Sequence, residues 1–296
     1  MVKHLGPGVI EVDLPWNTQE SWERWFLLVS DVHYDSVDCN RTLLKKHLDL
    51  AVKRNAGILS IGDMFDLVGG KGDPRRSKDE IRPEYLGGEY IDLVLNDTAE
   101  FLAPYAQYFT LLSQGNHELS IRSHMETDVT ERLAERLRLA GSPVKVGGYN
   151  GWVFFKTYYD AGKTTGKRRK VMLHYMHGAG GGGAVTKGIP ASSRRAVYLP
   201  DADIITSGHI HEAWHVEIPR ERITVNGRVF KDDQTHLCLG TYADHYNDRR
   251  IGYHHQSERG PKPQGGWWLR FYLEYEKAHE EANSAAVVRC ECIRAK

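Results

Sequence analysis

Residues 25–33 read Trp-Phe-Leu-Leu-Val-Ser-Asp-Val-His, and residues 57–66 read Gly-Ile-Leu-Ser-Ile-Gly-Asp-Met-Phe-Asp. Each is a short apolar run that ends in acidic or imidazole side chains. Runs of this length, at 25–29 and 57–61, suit strands covered on both faces better than helices. Between them, residues 41–53 carry Leu43, Leu44, Leu48 and Val52 near helical spacing. The pattern repeats downstream. Residues 90–102 set Ile91, Val94, Leu95, Ala99 and Leu102 on one helical face, 108–112 read as a third strand, and 127–140 form an amphipathic helix on Val129, Leu133, Leu137 and Ala140. Strands alternating with helices predict βαβ units and a parallel sheet.

The second half changes character. Residues 152–159, 170–176, 204–207, 214–218, 223–230, 236–239, 267–273 and 286–293 all read as strands. Asn226-Gly227 is a hairpin signal, because its φ > 0 turn matches the twist of the flanking strands. A second, largely antiparallel sheet is expected, facing the first with helices outside. No linker or repeat divides the chain, so one domain is expected over residues 1–296.

Composition bounds the function. The chain has 296 residues, 41% hydrophobic and 26% charged, with 39 Lys+Arg against 39 Asp+Glu. That argues for a globular protein with a large core and against a disordered chain. No apolar stretch approaches the roughly 20 residues of a spanning helix, so no membrane partner is expected. Zero net charge argues against bulk electrostatic adhesion to nucleic acid. Residues 1–14 show no apolar leader, so no secretory signal is expected. Cys39, Cys238, Cys290 and Cys292 are too sparse for a disulfide scaffold, and a reducing cytoplasm is the expected location.

Five clusters close predicted strands: Asp31-Val-His33, Gly62-Asp63-Met-Phe-Asp66, Gly115-Asn116-His117-Glu118, His177-Gly178 and Gly208-His209-Ile-His211. Ligand sites of α/β sheets lie beyond the carboxyl ends of strands, so these clusters can converge. Asp31 and His33, like His209 and His211, are two residues apart, which places each pair on one face of an extended chain. Two divalent ions about 3.5–4 Å apart need a bridging oxygen and flanking ligands. A carboxylate such as Asp63 can bridge, and mixed imidazole and carboxylate ligands suit Mn, Fe or Zn better than Ca or Mg.

In this order the clusters resemble the motifs of the calcineurin-like metallophosphoesterase superfamily, D-x-H, G-D-x-x-D, G-N-H-E/D, H-G and G-H-x-H. The resemblance covers residues 31–211 and is specific to the superfamily, not to a subfamily. It implies an α/β fold, a four-layer α/β/β/α sandwich with two mixed sheets, in which residues 212–296 complete the second sheet and a substrate-side loop. It implies that Asp31, His33 and His211 hold one metal, that Asp63 bridges, and that Asn116, His177 and His209 hold the second. His117 would act over the substrate as a general acid, with Asp66 orienting it. The implied activity is hydrolysis of phosphomonoesters or phosphodiesters by in-line attack of a metal-activated hydroxide. The implied cofactors are two divalent ions, Mn first, with Fe, Zn, Ni or Co as alternatives. A DNA exo- or endonuclease of the same superfamily is one alternative, with nucleic acid as the substrate, and a non-catalytic binding member is another. A protein Ser/Thr phosphatase fits less well, because Leu67-Val68 stand where that subfamily carries Arg-Gly.

Other features read more plainly. His174 competes with His177 as the ligand, and His177 is preferred because it precedes the glycine at the strand end. His4, His47, His124, His215, His236 and His279 read as surface or core histidines. His245, His254 and His255 fall in a polar stretch, 244–266, that reads as a surface loop, and Arg249 and Arg250 within it are candidate substrate-phosphate contacts. The glycine run 178–183 reads as a loop at the rim of the site. Residues 161–170 read as a basic hairpin turn, and 69–83 as a long irregular insertion. The oligomeric state and the physiological substrate are not legible.

Overall fold

The computed structural model describes residues 1–17, 21–67, 80–160, 165–246, 260–277 and 284–296. In chain order these form β1 (Val2–Gly6), β2 (Val9–Trp16), β3 (Glu23–Val29), α1 (Arg41–Lys53), β4 (Gly57–Ile61), α2 (Tyr90–Leu102), β5 (Phe109–Ser113), α3 (Asn116–Met125) and α4 (Val129–Leu139). Then follow β6 (Lys145–Val146), β7 (Asn150–Asp160), β8 (Thr165–Met176), α5 (Ile189–Ser193), α6 (Arg195–Tyr198) and β9 (Ile204–Ser207). The chain closes with β10 (Ala213–Ile223), β11 (Val229–Leu239), β12 (Trp267–Lys277) and β13 (Ser284–Arg294).

Two mixed sheets result. One has six strands in the order β13-β12-β3-β4-β5-β6 and the other seven in the order β1-β2-β7-β8-β9-β11-β10. In the first, β3, β4, β5 and β6 are parallel, while β12 and β13 join antiparallel. In the second, β8, β9 and β11 are parallel neighbours.

Apolar residues decide how the layers stack. Along β3, Phe26 and Leu28 enter the core between the sheets, whereas Leu27 and Val29 enter the core under the helices. Both faces are covered, so the strand is continuously apolar. Phe155 on β7 links the sheets, with ring centroids 4.8 Å from Phe26 and 4.9 Å from Phe271. On the helical side, α1 buries Leu44, Leu48 and Ala51 and α4 buries Val129, Leu133, Ala134 and Leu137, each a stripe of period 3.6. Asn40 and Asp128 start these helices by accepting from the backbone N–H of Leu43 and Glu131 at 3.0 Å.

The outer face of the seven-stranded sheet is covered only in part. There α5 and α6 lay Ser192 and Arg195 over β11, with Ser192 Oγ 3.1 Å from His236 Nδ1. The architecture is thus α/β with two mixed sheets, and its fourth layer is thin. Among the described residues no helix is long and apolar enough to cross a membrane.

Several boundaries differ from the sequence reading. β2 was not anticipated, although Ile10, Val12, Leu14 and Trp16 alternate on its buried face. The Asn226-Gly227 hairpin forms with much longer arms, joining β10 to β11 from the pair Ile223–Val229 to the pair Ala213–Leu239. Its loop closes with Thr224 N–H donating to the Arg228 carbonyl at 2.9 Å, and Gly227 takes φ 78°. α3 was also unforeseen. The Glu118 carboxylate accepts from the N–H of Gly115 at 2.7 Å and fixes its first turn.

Candidate metal centre

The carboxyl ends of β3, β4 and β5 in one sheet meet those of β8 and β9 in the other. Each strand end releases the chain into a tight turn. Asp31, His33, Asp63, His209 and His211 all have φ between 48° and 70°. Left-handed backbone costs a non-glycine residue about 1–2 kcal/mol, and such strain concentrates at functional sites. Neighbouring glycines leave room for the carboxylates. A Cβ on Gly115 would collide with the Asp63 carboxylate, and one on Gly208 with Ser30 Oγ and Asp31 Oδ2.

Two His–carboxylate clusters result, Asp31/His33/His211 and Asp63/His177/His209, each with ligand atoms within 4.8 Å of one another. In the first, His211 Nε2 is 3.3 Å from Asp31 Oδ1 and 3.2 Å from His33 Nε2. In the second, His177 Nε2 is 2.9 Å from Asp63 Oδ2. Asn116 Oδ1 joins that cluster, 3.1 Å from His177 Nε2 and 2.8 Å from His209 Nδ1. The clusters touch, for His177 Nε2 is 3.9 Å from Asp31 Oδ1. All seven candidate ligands therefore converge. His174 does not join them; it lies on the outer face of β8 with its ring 4.9 Å from that of Trp152.

Surrounding groups orient these side chains. His177 Nδ1–H donates to the Ile61 carbonyl at 2.9 Å, which turns Nε2 toward the cluster. His33 Nδ1–H donates to Asp66 Oδ1 at 3.1 Å with the same result. The Asp31 carboxylate accepts from the His209 N–H at 3.0 Å and from Ser30 Oγ at 2.6 Å. A third group, His33/Asp66/His117, adjoins the first. His117 Nδ1 is 2.5 Å from the Asp66 carbonyl oxygen and 3.3 Å from its Oδ1. The carbonyl, more closely than the carboxylate, holds His117, and its Nε2 stands 3.7 Å from Asp63 Oδ2.

The electrostatics suit bound cations. Asp31 and Asp63 are fully enclosed, and although burial alone would raise them, nearby histidine charges (His211 and His177 at Asp31, His177 and His117 at Asp63) hold both below the ordinary carboxylate range. Burial works against a charged ring at His33 and His177. Even so, Asp66 raises His33 to about 9, and Asp63 with Asp31 raises His177 to about 10. The site thus gathers a negative charge that imidazolium protons or divalent ions could balance. Glu118 and Asp35, buried behind the site, are pushed up by burial and then by Asp63 and Asp66 respectively. The N/O donor set fits transition ions better than Ca or Mg.

Several contributors had no role assigned from the motifs. Glu118 accepts from the N–H of Asp63 and of Phe65 at 3.1 Å and so fixes the β4 turn. Asp35 accepts from Asp66 N–H at 2.6 Å and Leu67 N–H at 2.9 Å. His245, read as a surface-loop histidine, instead stacks on His211. Arg249 and Arg250, with His254 and His255 and most of the 69–83 insertion, lie outside the described residues. Of the basic hairpin, Arg169 donates to the Val288 carbonyl at 2.6 Å and Lys170 lies over Phe154, so both are engaged in strand packing.

No family model matches the chain, and no curated protein matches it. Among solved structures, a conserved uncharacterized protein from Streptococcus pneumoniae, described as a predicted phosphoesterase, shares 10% identity at a TM-score of 0.30, over 91% of this chain and 100% of its own. Vps29 complexed with zinc, from Entamoeba histolytica, shares 12% at 0.32, over 92% and 99%. GAP50, the anchor in the inner membrane complex of Plasmodium, shares 12% at 0.40, over 93% and 89%.

Proposed function

We propose that the protein is a dinuclear metal-dependent phosphoesterase of the calcineurin-like metallophosphoesterase superfamily, acting on phosphomonoesters or phosphodiesters. The observation that carries this reading is the contact between the Asp31/His33/His211 and Asp63/His177/His209 clusters, with Asn116 Oδ1 joining the second. Asp31, His33 and His211 would hold one ion, Asn116, His177 and His209 the other, and Asp63 would serve both. Mn is the first choice, followed by Fe, Zn, Ni or Co.

Bound there, two such ions would lower the pKa of a water and neutralise phosphoryl oxygens. The remaining work belongs to the protein. His117, anchored through Nδ1 by Asp66, presents Nε2 toward the cluster and would give a proton to the leaving oxygen. Asp66 holds His33 and His117 in one arrangement. The Nδ1 bonds of His177 to Ile61 and of His33 to Asp66 aim each Nε2 at the cluster, where a bound ion would displace its proton.

The test is metal-reconstituted protein assayed on p-nitrophenyl phosphate, bis-p-nitrophenyl phosphate, and single- and double-stranded DNA. Turnover of at least one substrate, abolished by chelation, is expected. Full metal occupancy with no turnover under Mn, Fe, Zn, Ni or Co would leave a binding protein. Cleavage confined to DNA and steeply weakened by salt would make it a nuclease.

A further inference from the structure

We propose that His245 is a positioning residue for His211, lying parallel against that ring; the inference rests on His211 being a metal ligand, as read above. The two imidazoles are parallel, with an interplanar angle of 1° and centroids 5.7 Å apart. The His33 ring lies 5.2 Å from His211 at 58°. His211 therefore has two other histidine rings close to it, one from the β3 end and one from the segment after β11.

That segment is pinned along its length. Gly240 takes φ 82°, and a Cβ there would meet the carbonyl oxygens of Gly265 and Pro263 at 2.7 and 2.8 Å, so the turn demands glycine. Next, the Asp31 carbonyl accepts from Thr241 Oγ1 at 2.8 Å and from Tyr242 N–H at 3.0 Å. Asn40 N–H donates to the Tyr242 carbonyl at 2.7 Å, and Asp244 N–H to the Asp38 carbonyl at 2.8 Å. His245 Nδ1–H then donates to Asp38 Oδ2 at 3.2 Å. Residues 240–245 so form a sixth strand end at the site, hydrogen-bonded to the loop that carries Asp31. This backing makes the stack a fixed feature of the site, because the loop after β3 and the segment after β11 are anchored to each other through backbone hydrogen bonds.

The experiment is a cobalt(II) titration of the full chain, followed by visible absorption and calorimetry, with a thermal melt on every variant. Wild type should take up two ions. His245→Ala should weaken one of them by about 10-fold, the lower end for loss of an outer contact to a ligand, and leave the other unchanged. His245→Phe should restore it, since the ring face is what the proposal requires. Should His245→Ala melt early, Asp38→Asn tests the same contact from outside the stack, with a smaller loss at the same ion. Two wild-type affinities in His245→Ala would overturn the proposal. So would restoration by His245→Gln but not by His245→Phe, which would make the nitrogen the working part. Wild type that binds no cobalt overturns the metal reading itself, and this inference with it.

Discussion

Oδ1 of Asp66 lies 3.1 Å from Nδ1 of His33. The same oxygen is 3.3 Å from His117 Nδ1, so one carboxylate adjoins a proposed ligand and the proposed acid at once. Replacing it should therefore affect binding as well as turnover. Asp66→Ala is expected to weaken metal uptake about 10- to 100-fold, as loss of a ligand's orienting partner does elsewhere. Metal content after dialysis, measured beside kcat, checks this. Normal metal content in Asp66→Ala would show that His33 is oriented without it.

His117 gives a contrasting expectation. Its Nε2 approaches Asp63 only to 3.7 Å, and its Nδ1 is taken by the Asp66 carbonyl. His117→Ala should keep both metals and lose about 10²- to 10⁴-fold in turnover of an ester with a poor leaving group, the usual range for a general acid. The loss should shrink for p-nitrophenyl phosphate, whose leaving group needs little protonation. Equal losses on both esters would assign His117 to holding the phosphoryl group instead.

Acid stability should depend on two histidines outside the candidate ligand set. Burial lowers His174 and His236 to about 4, with the charge of Arg195 adding to it. Unfolded histidine titrates near about 6.5. Between those values the unfolded chain binds more protons, so stability falls as pH drops from about 6.5 toward 4. Each ring contributes at most about 1.4 kcal/mol per pH unit. His33 and His177 are raised, so their contributions, present below about 6.5, are lost only as pH climbs toward about 9 and 10. His236 is held in its neutral form, with Ser192 Oγ 3.1 Å from Nδ1 and Nε2–H donating to Gln234 Oε1 at 2.9 Å. Urea midpoints for His236→Gln across pH 4–7 should show a shallower slope than wild type. An unchanged slope would remove His236 from the account.

How far the sequence spoke depended on how local each feature is. Asp31 and His33 were legible because a strand end and its ligands are contiguous, and the same holds for Asn116 and for His209 with His211. The strand β2 carries its own alternation at Ile10, Val12, Leu14 and Trp16, but its parallel partner, β7, begins some 140 residues later, so its place in a sheet is not local. Which histidine Asp66 would meet could not be read from spacing. That depends on the turn after β4, set by left-handed Asp63 and Leu67 and by the carboxylates of Glu118 and Asp35. His245 was hidden for a similar reason: its neighbour His211 is 34 residues away and comes close only because β10 and β11 fold back as a hairpin.

Gly208 offers the sharpest test of how tightly the site is packed. Its φ is not positive, so alanine carries no backbone cost there and only space is at issue. The space is already filled. A Cβ would meet Ser30 Oγ and Asp31 Oδ2, both on side chains with no solvent exposure. The same Ser30 hydroxyl lies 2.6 Å from Asp31 Oδ2 and 2.8 Å from the Ile61 carbonyl, so it cannot move without leaving an acceptor behind. Gly208→Ala should cost about 1–3 kcal/mol, the range for overpacking a close-packed interior. Metal uptake should fall too, since Asp31 must shift. Pairing it with Ser30→Gly vacates the hydroxyl's place and should recover part of the melting temperature, giving a coupling well beyond additivity. Additive effects in the double variant would mean that the strand end yields elsewhere, and that Asp31 is less rigidly held than its contacts indicate.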